Sequence, residues 1–138
     1  LDALKTVGSQ RGVRAVLLTR HPEQQRAAAA LELPNCIVPT RAIDSRSLMY
    51  NADLVIGAGG TMTREAALLG VPTLTVYAGT PPAVDRALES QGRLSRLLGP
   101  EQVASVQKRA REPVPLEELR VRSEAIMDVF LDELLRVG

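Results

Sequence analysis

Four short runs of β-forming residues, at positions 13–19, 35–38, 53–57 and 73–77, alternate with helical patterns along this chain. The runs are nearly continuous in apolar side chains: Ala15-Val16-Leu17-Leu18, Leu54-Val55-Ile56, Leu74-Thr75-Val76. A strand with one wet face alternates apolar with polar residues, so unbroken runs require burial on both faces. That requirement is met by a parallel sheet with helices on either side, and the expectation is one doubly wound, mostly parallel, Rossmann-like α/β domain. Helix punctuation agrees, with Pro22 at a first helical position, Gly70 after a helix end and Pro72 close behind. Beyond Gly92 the pattern weakens, and Gly99-Pro100 and Pro113 to Pro115 mark loops. A last helix is predicted over residues 115–137. Its stripe of Leu119, Ile126, Phe130 and Leu134 packs on the core or on a partner.

Composition removes several functions. With 45% hydrophobic and 24% charged residues, the 138-residue chain has the makings of one packed domain rather than a disordered segment. A net charge of +1, with both signs interspersed, gives no electrostatic handle for a nucleic acid or a membrane surface. A small anion needs only a local site. The single cysteine, Cys36, excludes an intrachain disulfide and a cysteine zinc cluster, and its apolar setting reads as packing in a reducing, cytoplasmic protein. No apolar run reaches the ~18 residues of a membrane span, and no metal or resident cofactor is expected. Leu1 already lies in a segment that reads as helix. The expectation is a piece of a longer protein, without an N-terminal partner domain.

The chemistry concentrates after the third run, where Leu54-Val55-Ile56 leads into Gly57-Ala58-Gly59-Gly60-Thr61 and then a helix. Glycines let a ligand approach the backbone, and the free N–H groups of the next helical turn favour an anion. Each dipole contact contributes only ~0.3–1 kcal/mol, so several donors must converge to hold a diphosphate. Thr61 and Thr63 add hydroxyls. Glu65 lies one turn on, where its carboxylate can reach back to accept hydrogen bonds from ribose hydroxyls. The plainer reading is a tight turn with a solvated Glu65. Two phosphate motifs are excluded: a dinucleotide fingerprint from Gly57 requires glycine where Met62 stands, and a P-loop requires a lysine that the loop lacks.

In its central stretch, Asp53 to Met62, Arg64 to Gly70, Ala78-Gly79, Val84-Asp85-Arg86 and Gly92-Arg93-Leu94, the chain closely resembles the predicted-glycosyltransferase family catalogued as domain of unknown function 354. That family is similar to UDP-N-acetylglucosamine 2-epimerase and the glycosyltransferase-B enzymes. The resemblance implies the C-terminal, nucleotide-sugar-binding half of a two-domain glycosyltransferase or epimerase, inactive as an isolated fragment. By position, Gly59, Gly60 and Thr61 would take the diphosphate of a donor, most simply a UDP-sugar, and Glu65 its ribose. The rival reading is a non-catalytic Rossmann-like module that binds an anion or a partner protein.

Two further places lie on the same expected edge. Arg20 and His21 follow the first run; Arg20 can fork onto phosphate, and the His21-Pro22 pair is similar to one in phosphate-handling glycosyltransferase-B relatives. Surface salt bridging for Arg20, and capping or solvation for His21, are the plainer readings. The loop from Tyr77 to Pro82, with Gly79 and the following Arg86, would touch sugar or acceptor, or be a loop and cap only. Finally, the relatives place a central strand before the first helix, between the runs at 13–19 and 53–57. Without it, those runs are expected to close on each other, or a second chain covers the open edge to give a homodimer, through that edge or the last helix.

Overall fold

The computed structural model describes residues 2–105 and 107–110 and, toward the C-terminus, residues 117, 120, 121, 124, 127, 128, 131, 132, 135 and 136. Strands and helices alternate as α1 (Asp2–Ser9), β1 (Ala15–Val16), α2 (Pro22–Ala29), β2 (Cys36–Ile37), α3 (Ser45–Tyr50), β3 (Val55–Gly57), α4 (Thr61–Leu68), β4 (Thr73–Thr75), α5 (Ala83–Ser90), β5 (Ser95–Arg96) and α6 (Glu101–Ala104). All pairings are parallel. The fold is α/β and Rossmann-like, as the apolar runs required. Residues 117, 120, 121 and 124 are helical, with Arg120 bridging Glu117 at 2.7 Å and Glu124 at 3.1 Å. Residues 127, 128, 131, 132, 135 and 136 are helical as well, whereas the stripe of Leu119, Ile126, Phe130 and Leu134 lies outside the described residues.

The core gathers around α4 and β4, whose three strand residues are all buried. Ala66 and Ala67 on α4 have no exposed surface. Ala66 packs with Met49 of α3, Val71 and Val55, and Ala67 packs with Leu88 of α5 and Leu94. Small side chains let α4 settle close to the sheet, and larger neighbours fill the sides. A strap from the chain's later part locks the same region. Arg109 donates from its backbone to Asp53 Oδ1, and from its guanidinium to the Gly70 and Tyr50 carbonyls, each at 2.8 Å.

The strands form two sheets, β1-β2 and β3-β4-β5. The runs at 13–19 and 53–57 therefore do not close on each other, correcting one of the two alternatives expected from the sequence. Leu17 N donates to Ile37 O and Val55 N to Pro72 O, both at 2.9 Å. Strand alternation then turns the peptide groups of Val16 and Ile56 the other way. Among the described residues no strand pairs with either of those edges. The apolar Ile56 stays 37% exposed, and α2, beside β1, buries no residue. The halves are joined elsewhere, through α1 and α6, where Gln10 Nε2 donates to the Ala104 carbonyl at 3.1 Å.

This arrangement predicts a split pattern of amide exchange. In hydrogen–deuterium exchange read by NMR, the Val16 and Ile56 amides should exchange at least about tenfold faster than those of Leu17 and Val55. Equal protection of all four would mean that another chain covers these edges in solution.

Candidate functional site

The carboxyl ends of β1, β3 and β4 supply the residues singled out in the sequence. After β3 the chain turns through Gly59 at φ 87° and Gly60 at φ 89°, ψ −171°, and α4 begins at Thr61. The Gly60 conformation is open in practice to glycine alone, and it leaves the N-cap of α4 without a side chain. The amides of Thr61, Met62 and Thr63 precede the first intrahelical bond, which runs from Arg64 N to Gly60 O at 3.3 Å. Three donors of one turn are thus left without an intrahelical partner.

Arg20 lies close to that turn. A methyl group on Gly60 would sit 3.7 Å from its Nη2, so a guanidinium from the end of β1 reaches across to the loop after β3. Its backbone is held by a 3.0 Å bond from Arg20 N to Gln24 Oε1. His21 is the N-cap residue of α2; it is exposed, and its side chain makes no capping bond.

The two threonines face opposite ways. Thr61 is exposed at the start of α4, whereas Thr63 is 3% exposed and buried beneath the loop, where a Cβ on Gly57 would overlap its hydroxyl. Gly57 is therefore small to admit Thr63, and the outward hydroxyl is that of Thr61. Glu65 meets Arg46 of α3 at 3.9 Å, in a loose pair whose arginine is 80% exposed. Such an exposed pair contributes little to stability, so the carboxylate stays available. Arg46 is brought there by α3, whose N-cap Asp44 accepts from Arg46 N at 3.1 Å and from the Ser47 hydroxyl at 2.5 Å. The Ser47 bonds hold the Asp44 carboxyl below its ordinary range.

The loop after β4 has its own ties. Arg86 Nη1 donates to the Pro81 carbonyl at 2.6 Å, so its guanidinium folds back on the loop preceding α5. Gly79 lies against the Tyr77 side chain. Asp85 is buried and accepts from Arg64 Nε at 2.6 Å, pinning α5 to α4. That hydrogen bond raises the Arg64 pKa above the usual arginine value. Sequence reasoning missed this pair, and the spacing of 21 residues carries no periodic signal that would have found it. Cys36 is half-buried, and desolvation pushes its thiol up, away from thiolate chemistry.

Elsewhere, a shallow depression lined by Ala67, Gly70, Pro72, Thr73, Arg93 and Ser95 opens at the amino ends of β4 and β5. Parallel α/β sheets bind ligands at the opposite edge, where the glycine loop lies, and only there do amides and Arg20 converge. Chemistry outweighs concavity in choosing between them. Among the described residues no three metal-ligating side chains cluster, and no helix is long and apolar enough to cross a membrane.

Packing of Thr63 under Gly57 predicts that Gly57→Ala lowers stability by about 1–3 kcal/mol, the usual cost of overpacking. Adding Thr63→Ala should recover part of it. A single variant as stable as the parent in urea titration would show that Thr63 does not occupy that space.

Comparison with known proteins adds a family but no activity. A stretch of 60 residues, 44% of this chain, is 50% identical to an uncharacterized protein of Methanocaldococcus jannaschii, of which it spans 18%. No solved structure matches the chain. The family profile described as protein of unknown function DUF354 matches residues 5–133, nearly the whole sequence, and the chain belongs to that family.

Proposed function

We propose that this domain holds a nucleotide-diphosphate sugar, most simply a UDP-sugar, with its diphosphate on the loop from Gly59 to Thr61. The observation that carries this reading is the convergence at one turn: two positive-φ glycines, three helix-start amides and the Arg20 guanidinium. Backbone donors and a forked cation are the complement of a diphosphate. The Thr61 hydroxyl is a further donor on the same side. Glu65, one turn along, accepts from the ribose hydroxyls and exchanges its loose contact with Arg46 for them.

The similarity of the glycine motif to glycosyltransferase-B enzymes and UDP-N-acetylglucosamine 2-epimerase supports transfer or epimerisation of the sugar. In that chemistry the leaving diphosphate gains charge, and the loop amides, Thr61 and Arg20 are preorganised to stabilise it. A general base then comes from an amino-terminal partner domain, and this chain alone binds without turning over. The same reading closes the open edges of β1 and β3 with that domain, which leaves them uncovered in the isolated chain. A sugar nucleotide and a half-buried thiol both suit a cytoplasmic setting.

Calorimetric titration with UDP and with inorganic pyrophosphate tests the assignment. Glu65→Ala should weaken UDP by about 1–3 kcal/mol, the worth of hydrogen bonds to a charged group, and leave pyrophosphate nearly unchanged. Arg20→Ala should weaken both. Equal loss of the two ligands on Glu65→Ala would remove the ribose role, and equal weak binding of any anion by the parent chain would favour a non-catalytic module.

A further inference from the structure

Tyr77 has no evident duty in the core, yet its placement is tightly specified. The chain contains two tyrosines, one phenylalanine and no tryptophan, so each aromatic ring is a rare commitment. β4 is buried throughout, but the chain emerges after it, and Tyr77 is 41% exposed. Val76 N donates to Gly57 O at 2.9 Å, extending the contact with β3 by one residue, and Tyr77 N donates to Thr75 Oγ1 at 3.1 Å. These two bonds bring Tyr77 beside the glycine loop.

Two glycines then accommodate its ring. A methyl group on Gly59 would touch Tyr77 Cγ and Cδ2 at 3.5 Å, in ordinary contact. One on Gly79 would come within 2.7 Å of Cζ and 3.0 Å of Cε1, so any side chain there displaces the ring. The ring is thus seated between two stretches of bare backbone, one of them the turn that opens α4, with much of its surface left to solvent. Burial does not explain a ring left so exposed, and the apolar core lies on other residues.

We propose that Tyr77 is the stacking surface for the ring-bearing end of the ligand, with Gly79 orienting the aromatic ring rather than touching the ligand itself. This rests on the diphosphate reading of the Gly59–Thr61 loop. A flat carbon face beside bound phosphates recognises whatever flat face those phosphates carry, either a nucleobase or a sugar. The shared chemistry is stacking, and separate ligands tell the two sources apart.

In a Tyr50→Phe background Tyr77 is the sole tyrosine, and with no tryptophan present its fluorescence reports the ring directly. Titration with inorganic pyrophosphate, UDP and a sugar 1-phosphate, repeated calorimetrically, gives the test. Tyr77→Ala should weaken UDP, the sugar 1-phosphate or both by about five- to a hundredfold, the range for one stacked ring, and leave pyrophosphate within about twofold. Loss for UDP alone identifies the base as the stacked group, and loss for the sugar phosphate alone identifies the sugar. Tyr77→Phe should retain parental affinity, and Gly79→Ala should repeat the loss by displacing the ring. Unchanged binding of both ring-bearing ligands by Tyr77→Ala, or a loss shared equally with pyrophosphate, overturns the proposal. If the parent binds UDP through Tyr77 but not pyrophosphate, the diphosphate cradle fails while the stacking role stands; if it binds none of the three, both fall.

Discussion

Helix α4 sits close against β3 and β4 because two of its residues are alanines turned toward the sheet. Ala66 and Ala67 have no exposed surface, and each faces a different cluster, one toward α3 and one toward α5. Because neither side chain extends past Cβ, the helix axis lies close to the sheet, and the connection from β3 must turn sharply. Gly59 and Gly60 make that turn in backbone conformations that other residues avoid. Thr63 then anchors the first helical turn from below, in the space left by Gly57. Burial of apolar surface, which has no direction of its own, thereby fixes the direction in which three amides point.

A second consequence is lateral. The buried bond between Arg64 and Asp85 ties α4 to α5, and the Arg109 strap ties the ends of α3 and α4. The half around β4 is therefore cross-braced, and its loop after β4 lies against the glycine turn through Tyr77. The half around β1 is tied within itself, by Gln25 Nε2 donating to the Pro39 carbonyl at 2.7 Å and Asn35 Nδ2 to the Gln10 carbonyl at 3.0 Å. Its link to the glycine turn is the reach of Arg20, so any ligand gripped by both Arg20 and the turn amides would also join two sheets that share no backbone ladder.

How much of this was legible in the sequence depended on whether a feature is local. Apolar runs marked β1, β3 and β4, because two-sided burial leaves a continuous signature. The positive φ at Gly60 was foreseeable from glycine in a strand-to-helix turn. β5, by contrast, consists of Ser95 and Arg96, both exposed, and a polar edge strand carries no hydrophobic signal. Thr63 looked like a ligand donor because spacing along a helix places it near Thr61, while its burial depends on how α4 rolls against β3. The seating of Tyr77 against Gly79 carried no such signal, since nothing local shows that the ring folds onto it. The separation of β1 from β3 was hardest of all to read, because strand edges are set by partners distant in sequence.

Binding of a diphosphate at the turn into α4 can be followed through the backbone amide resonances as inorganic pyrophosphate is added. A phosphate cradle there gives saturable shifts that are largest at Gly60, Thr61, Met62 and Thr63, with smaller ones near Arg20. Shifts centred instead on the depression around Gly70, Arg93 and Ser95, or a response that grows without saturation across the whole surface, would contradict it.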